Sequence, residues 1–132
     1  MIKKKILNPD RIRCIEGGFS FIPHRFLTDG FLGSLGPHEL LLYFFLVLAG
    51  DRNGISFYSY DKICTLLQMN LEQYITARDN LMENDLIAFD GTLFQVLDLP
   101  RKADDQAQKF NHQQYKNLDA ITQLVEQTTK RF

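Results

Sequence analysis

The chain has 132 residues, of which 45% are hydrophobic and 12% aromatic, and this apolar content excludes an intrinsically disordered chain. Its length is sufficient for one domain with a hydrophobic core. The formal net charge is −1, so there is no overall basic excess to attract the chain to nucleic acid or anionic lipid. Any contact with DNA must therefore come from a local cluster of basic residues.

Cysteine use and hydropathy bear on the cellular compartment. Cys14 and Cys64 lie far apart in the sequence, form no Cys-x-x-Cys pair, and follow no secretory signal at the amino terminus. The longest apolar run, residues 40–49, is about half as long as the roughly 20 residues that a membrane span needs. We therefore expect a cytoplasmic protein with free thiols and no membrane partner.

The amino-terminal region predicts a basic arm, residues 1–18, followed by the first elements of a domain. Residues 19–22 alternate like a short strand, and Pro23 suits the first turn of a helix that ends before Gly30. Residues 30–36 are then expected to form a loop. The acidic residues of the arm are Asp10 and Glu16. Its basic residues are Lys3, Lys4, Lys5, Arg11 and Arg13.

The middle of the chain predicts a buried helix and then a strand. Pro37 suits the first helical position, Glu39 is favourable near the positive end of the helix dipole, and Gly50 ends the apolar run. Residues 51–54 have the composition of a turn, and residues 55–58 predict a short strand.

Two further helices and a hairpin follow. The first helix is predicted over residues 61–68, and Asn70 is expected to cap the second, over residues 71–84. Strands are predicted on either side of Asp90-Gly91, a pair suited to the positive φ angles of a type I′ turn. Helical spacing assigns six side chains of the second helix to a buried face: Leu71, Tyr74, Ile75, Ala77, Leu81 and Met82.

Three stretches carry a family resemblance: YDKICTLL at residues 60–67, ARDNL at residues 77–81, and Leu86-Ile87 ahead of the Asp90-Gly91 turn. They resemble the winged helix-turn-helix families of bacterial regulators and replication initiators. The resemblance implies an α+β fold, mainly α, with a three-stranded antiparallel sheet. It also implies binding of double-stranded DNA, in transcriptional control or in replication of a plasmid or mobile element.

The carboxyl-terminal region predicts two extensions beyond a winged-helix domain at residues 19–99. Residues 100–117 are polar and predict a linker, and residues 118–132 predict a helix of about three turns. Such a short helix needs a surface to pack on, so we expect it to form the contact of a homodimer. Its apolar stripe consists of Leu118, Ile121, Leu124 and Val125.

The helix predicted at residues 71–84 also carries the main candidates for DNA binding. Gln73, Thr76 and Asn80 carry the amide and hydroxyl groups that read base edges in a major groove. Arg78 is placed to reach phosphate from the flank, with the Tyr60 hydroxyl as a further candidate. The remaining candidate phosphate contacts are Arg52, Lys62 and the five basic residues of the arm.

Charge raises an alternative. The same helix carries Glu72, Asp79 and Glu83, and the predicted wing tip has no basic residue, so this face repels phosphate. The alternative is a winged helix that binds a protein partner instead of DNA. DNA binding predicts that the arm, Arg52, Lys62 and Arg78 share a face with the helix, whereas the interaction module leaves them dispersed.

No catalytic or metal motif accompanies these elements. His24, His38 and His112 are isolated, and the sequence has neither a phosphate loop nor a nucleophile elbow. We expect no enzyme activity, no metal and no cofactor. The phenylalanines lack interleaved basic residues and are predicted to be core residues, including Phe19, Phe21, Phe57 and Phe89.

Overall fold

The computed structural model of the protein describes residues 2–101. The predicted linker, apart from its first two residues, lies outside this part of the chain. So does the predicted terminal helix with its dimer contact, made by Leu118, Ile121, Leu124 and Val125. Between residues 2 and 101, no helix is long and apolar enough to cross a membrane.

The described chain is a mixed α+β structure, mainly helical, with a small antiparallel sheet. A short 3₁₀ helix at Pro9–Arg11 lies in the arm. The helices are α1 Arg25–Thr28, α2 Phe31–Ser34, α3 Pro37–Ala49, α4 Tyr60–Leu67 and α5 Leu71–Glu83. The strands are β1 Ile55–Ser56, β2 Ile87–Phe89 and β3 Phe94–Val96. The spatial order is β1-β3-β2, so β3 pairs with both other strands.

Helix α3 is the centre of the fold and has the predicted bounds. Pro37 occupies its first turn, and the Glu39 carboxylate accepts a hydrogen bond from the backbone N–H of Gly36. Its side chains Leu42 and Leu46 are completely buried, and the helix packs against α5 and the sheet. The hydrophobic residues buried around it are Phe26, Phe31, Tyr43, Val47, Ile63, Met69, Tyr74, Ala77, Leu81, Leu86, Ile87 and Phe94.

Three local predictions were wrong. Residues 19–22 pair with none of the strands in the described chain, and α2 occupies the predicted loop at residues 30–36. At the hairpin tip only Gly91 of the predicted pair has a positive φ, which excludes a type I′ turn on Asp90-Gly91. The Asp90 carboxylate instead accepts the N–H groups of Thr92 at 2.8 Å and Leu93 at 2.7 Å.

The arm and the end of the described chain differ in how they are held. All side chains of residues 2–18 are exposed, and the hydrogen bonds of this segment stay between Asn8 and Arg11. At the other end, the Arg25 guanidinium donates to the carbonyl oxygens of Leu99 and Pro100, both at 2.9 Å. Asp29 holds the same guanidinium at 3.0 Å. Within the described part of the chain, the arm is therefore held to the domain by no hydrogen bond, while residues 99–100 are fixed to α1.

The buried hydroxyl of Ser56 allows a test of the packing of the sheet. It is buried in β1, and its hydroxyl has no hydrogen-bond partner among the described residues. Burying an unpaired hydroxyl is unfavourable, so we expect Ser56→Ala to raise the free energy of unfolding by about 1 kcal/mol. Urea denaturation followed by circular dichroism measures this, with the exposed Ser20→Ala as a control. A loss of stability in Ser56→Ala would contradict the unpaired assignment.

Candidate functional site

The turn between α4 and α5 is built by local hydrogen bonds. Gln68 ends α4 in the left-handed conformation, with φ of 56°. Asn70 then caps α5, because its side-chain oxygen accepts the N–H of Gln73 at 2.7 Å. The Gln73 side-chain oxygen accepts the N–H of Asn70 at 2.9 Å in return. Asn70 is confirmed as the cap. The side-chain oxygen of Gln73 is already engaged in a hydrogen bond at the start of α5.

Asn80 faces into the fold. Its amide nitrogen donates to the Glu39 carboxylate at 2.9 Å, and the side chain is half-buried between α5 and α3. Of the three predicted base-reading residues, Thr76 alone is exposed. Gln73 and Thr76 share a shallow polar groove with His38, Glu39, Asn70 and Glu72, at the amino-terminal ends of α3 and α5.

Arg78 is held against the hairpin. Its guanidinium carbon lies 5.6 Å from the ring centre of Tyr74 and 5.2 Å from that of Phe89, which are cation–π distances. The Asp79 carboxylate contacts the same guanidinium at 3.1 Å. Burial raises the pKa of the Tyr74 hydroxyl, so this ring stays neutral beneath the charge. Arg78 therefore joins α5 to β2, and its charge is paired.

Between α5 and the hairpin tip lies a cavity of about 610 Å³, which we call the α5–hairpin groove. The segment before α4 forms one wall, the first two turns of α5 form the floor, and residues 89–92 form the other wall. Two predicted site residues, Tyr60 and Arg78, line it. The full lining is Phe57, Tyr58, Ser59, Tyr60, Leu71, Tyr74, Ile75, Arg78, Phe89, Gly91 and Thr92.

Much of this groove is exposed apolar surface. Phe57 is 67% exposed, Tyr60 58% and Leu71 49%, and Ile75 and Tyr58 are also partly accessible. The predicted burial of Phe57, Leu71 and Ile75 was therefore wrong. Helices α3 and α4 and strand β2 pack against the side of α5 that carries Tyr74, Ala77 and Leu81, so the neighbouring apolar positions remain open to solvent. Met82, on the last turn of α5, is likewise exposed.

Three carboxylates contact residues that line the groove. Asp61 accepts a hydrogen bond from the Ser59 hydroxyl, Asp79 contacts the Arg78 guanidinium at 3.1 Å, and Asp90 accepts the N–H of Thr92 at 2.8 Å. Glu72 lies instead in the polar groove that contains Gln73. Hydrogen bonds from the Ser59 hydroxyl and the Lys62 N–H lower the pKa of Asp61, and the N–H groups of Leu93 and Thr92 lower that of Asp90. These two groups are thus ionised at neutral pH. These three carboxylates, together with the cations Lys62 and Arg78, form what we call the acidic rim, in which carboxylates outnumber cations by three to two.

The basic residues are dispersed over the described chain. Arg52 is exposed in the turn before β1, beside a second cavity of about 350 Å³ that is lined by residues 96–99 and by Phe19 and Phe21. This end of the sheet is opposite the hairpin tip. Phe19 and Phe21 are 68% and 76% exposed, so their predicted burial was also wrong. Lys62 is exposed on α4, and Lys3, Lys4, Lys5, Arg11 and Arg13 are exposed in the arm.

The exposed apolar residues Phe57, Leu71 and Ile75 are those that sequence analysis missed. The sequence feature that could have indicated their exposure is that Leu71 and Ile75 lie beside acidic residues of the same helix. Among residues 2–101, no group of three or more His, Cys, Asp or Glu side chains is placed to hold a metal ion. Comparisons with protein-family profiles, curated proteins and solved structures gave no match to this chain.

Proposed function

We propose that this chain is a winged-helix domain that binds a protein segment through the α5–hairpin groove. The winged-helix assignment is supported by the order helix, strand, helix, helix, strand, strand from α3 to β3. It is also supported by the pairing of β1 with β3, which places the strand before α4 at the edge of the hairpin sheet.

The composition of the groove is the observation that carries the binding proposal. Large exposed apolar side chains beside one another favour a protein contact, because burying them releases water and costs no paired charge. Tyr58 and Tyr60 add phenol groups, which are frequent anchors at protein interfaces. A duplex would instead bring phosphates against the carboxylates of Asp61 and Asp90 at the rim of the groove.

The charge geometry supports the same choice. DNA binding was expected to bring the arm, Arg52, Lys62 and Arg78 to the face of α5. Arg52 lies at the opposite end of the sheet, the charge of Arg78 is paired with Asp79, and among the described residues the arm makes no hydrogen bond or ion pair with α5. Gln73 and Asn80 already make hydrogen bonds within the fold. The groove therefore fits a segment with large apolar anchors and a positive charge.

A displayed library of random 16-residue peptides, panned against the full chain, tests this proposal. We expect the selected peptides to be rich in large apolar and basic residues. Binding should weaken about tenfold or more for the double variant Leu71→Ser/Ile75→Ser, because two partly exposed anchors are lost. The matched control is Leu48→Ser, which changes an exposed leucine of α3 outside the groove. Peptides that bind the double variant and the wild type equally would contradict the proposal.

Double-stranded DNA remains the second candidate, favoured by one observation. Lys3, Lys4, Lys5, Arg11 and Arg13 are all exposed and have no acidic partner within the described chain. Such an arm is suited to tracking a phosphate backbone. Fluorescence anisotropy with a mixed-sequence duplex, titrated from low to physiological salt, decides between the candidates. A steep salt dependence that flattens when the five residues are changed to Ala would favour DNA.

A further inference from the structure

The arm itself has the chemistry that the α5–hairpin groove lacks. Its basic residues outnumber its acidic ones by five to two, whereas the carboxylates of Asp61, Asp79 and Asp90 contact residues that line the groove. It is also apolar, since Ile2 is 92% and Leu7 87% exposed, and Ile6, Ile12 and Ile15 are exposed as well. A solvated tail gains nothing from so many exposed branched side chains, but a segment that binds an apolar groove does.

We propose that the groove of one chain binds the basic arm, residues 2–18, of a second copy. This inference rests on the proposed function, since it names the occupant of the same groove. The isoleucine and leucine side chains of the arm lie on Phe57, Leu71 and Ile75. The lysines at positions 3–5 lie along the acidic rim. Both partners of the contact are thereby neutralised, and apolar surface is buried on each side.

The position of the arm favours a second copy over the same chain. The arm leaves the domain at Phe19, which lines the cavity at the Val96 end of the sheet. The groove lies at the other end, beside Gly91 and Thr92. To occupy its own groove, the arm would have to run the length of the domain, yet residues 2–18 make no hydrogen bond to it. Two chains related by a twofold axis exchange their arms without that path, and each makes the same contact.

The arm contains a natural site for a spin label, Cys14, which is exposed. The experiment mixes two forms of the full chain. One form has nitrogen at natural isotopic abundance and carries a nitroxide at Cys14. In this form Cys64 is replaced by Ala, so that Cys14 is the site of labelling. The other is labelled with nitrogen-15 and carries no nitroxide. Broadening of amide signals in the second form reports contacts between chains only.

We expect broadening at Ile75 and Thr92, in the floor and wall of the groove, and none at Arg52 at the opposite end. The broadening should be lost when the nitrogen-15 chain carries Leu71→Ser/Ile75→Ser, or when the nitroxide chain carries Lys3→Glu, Lys4→Glu and Lys5→Glu. Sedimentation equilibrium of the same charge-reversed chain should give a dimer dissociation constant about tenfold or more higher than that of the wild type.

Two results would overturn the inference. Broadening of the groove amides only when nitroxide and nitrogen-15 are in the same chain would assign the groove to its own arm. An absence of groove broadening in both arrangements would exclude the arm as occupant. In that case, library peptides that still require Leu71 and Ile75 would leave the proposed function intact, so the two failures are distinguishable.

Discussion

Replacement of Phe94 by Ala is expected to lower the free energy of unfolding by about 3–5 kcal/mol, the usual loss for a buried phenylalanine. The side chain is completely buried, and its ring stacks on that of Phe89 with centroids 4.3 Å apart. It lies on β3, opposite Ser56 of β1 and Phe89 of β2. Its removal leaves a cavity where the three strands meet α3.

The loss should extend to the binding surface, because Phe89 lines the α5–hairpin groove and supports the Arg78 guanidinium. Urea denaturation followed by circular dichroism measures the stability, and peptide binding measures the groove. The control is Gln95→Ala, an exposed change on the same strand that should cost less than about 0.5 kcal/mol. If Phe94→Ala were as stable as this control, the packing role assigned to Phe94 would be wrong.

The local elements were predictable wherever the sequence marks both ends of a segment. Helix α3 has the predicted bounds because Pro37 starts it and Gly50 stops an otherwise continuous apolar run. The start of α5 was predictable for the same reason, since Asn70 is a favourable cap. The short α2 was missed because Gly33 and Ser34 disfavour a helix, and its apolar contacts alone establish it.

The groove could not be predicted, because helical spacing does not say how wide a stripe the neighbours cover. Leu71 and Ile75 adjoin the buried Tyr74 on the helix surface, and the placement of α3, α4 and the hairpin around α5 leaves them exposed. The contact between Asn80 and Glu39 joins residues 41 positions apart. The sequence predicted an exposed Asn80, because an amide at the border between the exposed and buried faces of a helix is compatible with either environment.

Replacement of Gly54 by Ala is expected to weaken the domain by about 2–4 kcal/mol, through backbone strain and steric overlap together. Gly54 has φ of 81°, and an added Cβ would lie 2.7 Å from the carbonyl oxygen of Val96. The Gly54 oxygen also accepts the N–H of Val96 at 2.9 Å, so the turn cannot move away without breaking the β1–β3 edge. The strand that leads to Phe57 and the groove depends on this close approach.

The sequence supplies a matched control in Gly91. It also has a positive φ, 99°, but no atom lies within 4 Å of its added Cβ. Gly91→Ala should therefore show only the conformational cost, about 1–2 kcal/mol, and the difference between the two variants isolates the overlap with Val96. Thermal and urea unfolding of both proteins give that difference. Equal losses of stability would show that the strain in φ alone sets the cost. They would also show that β3 moves away from an added Cβ at position 54 without a further loss of stability.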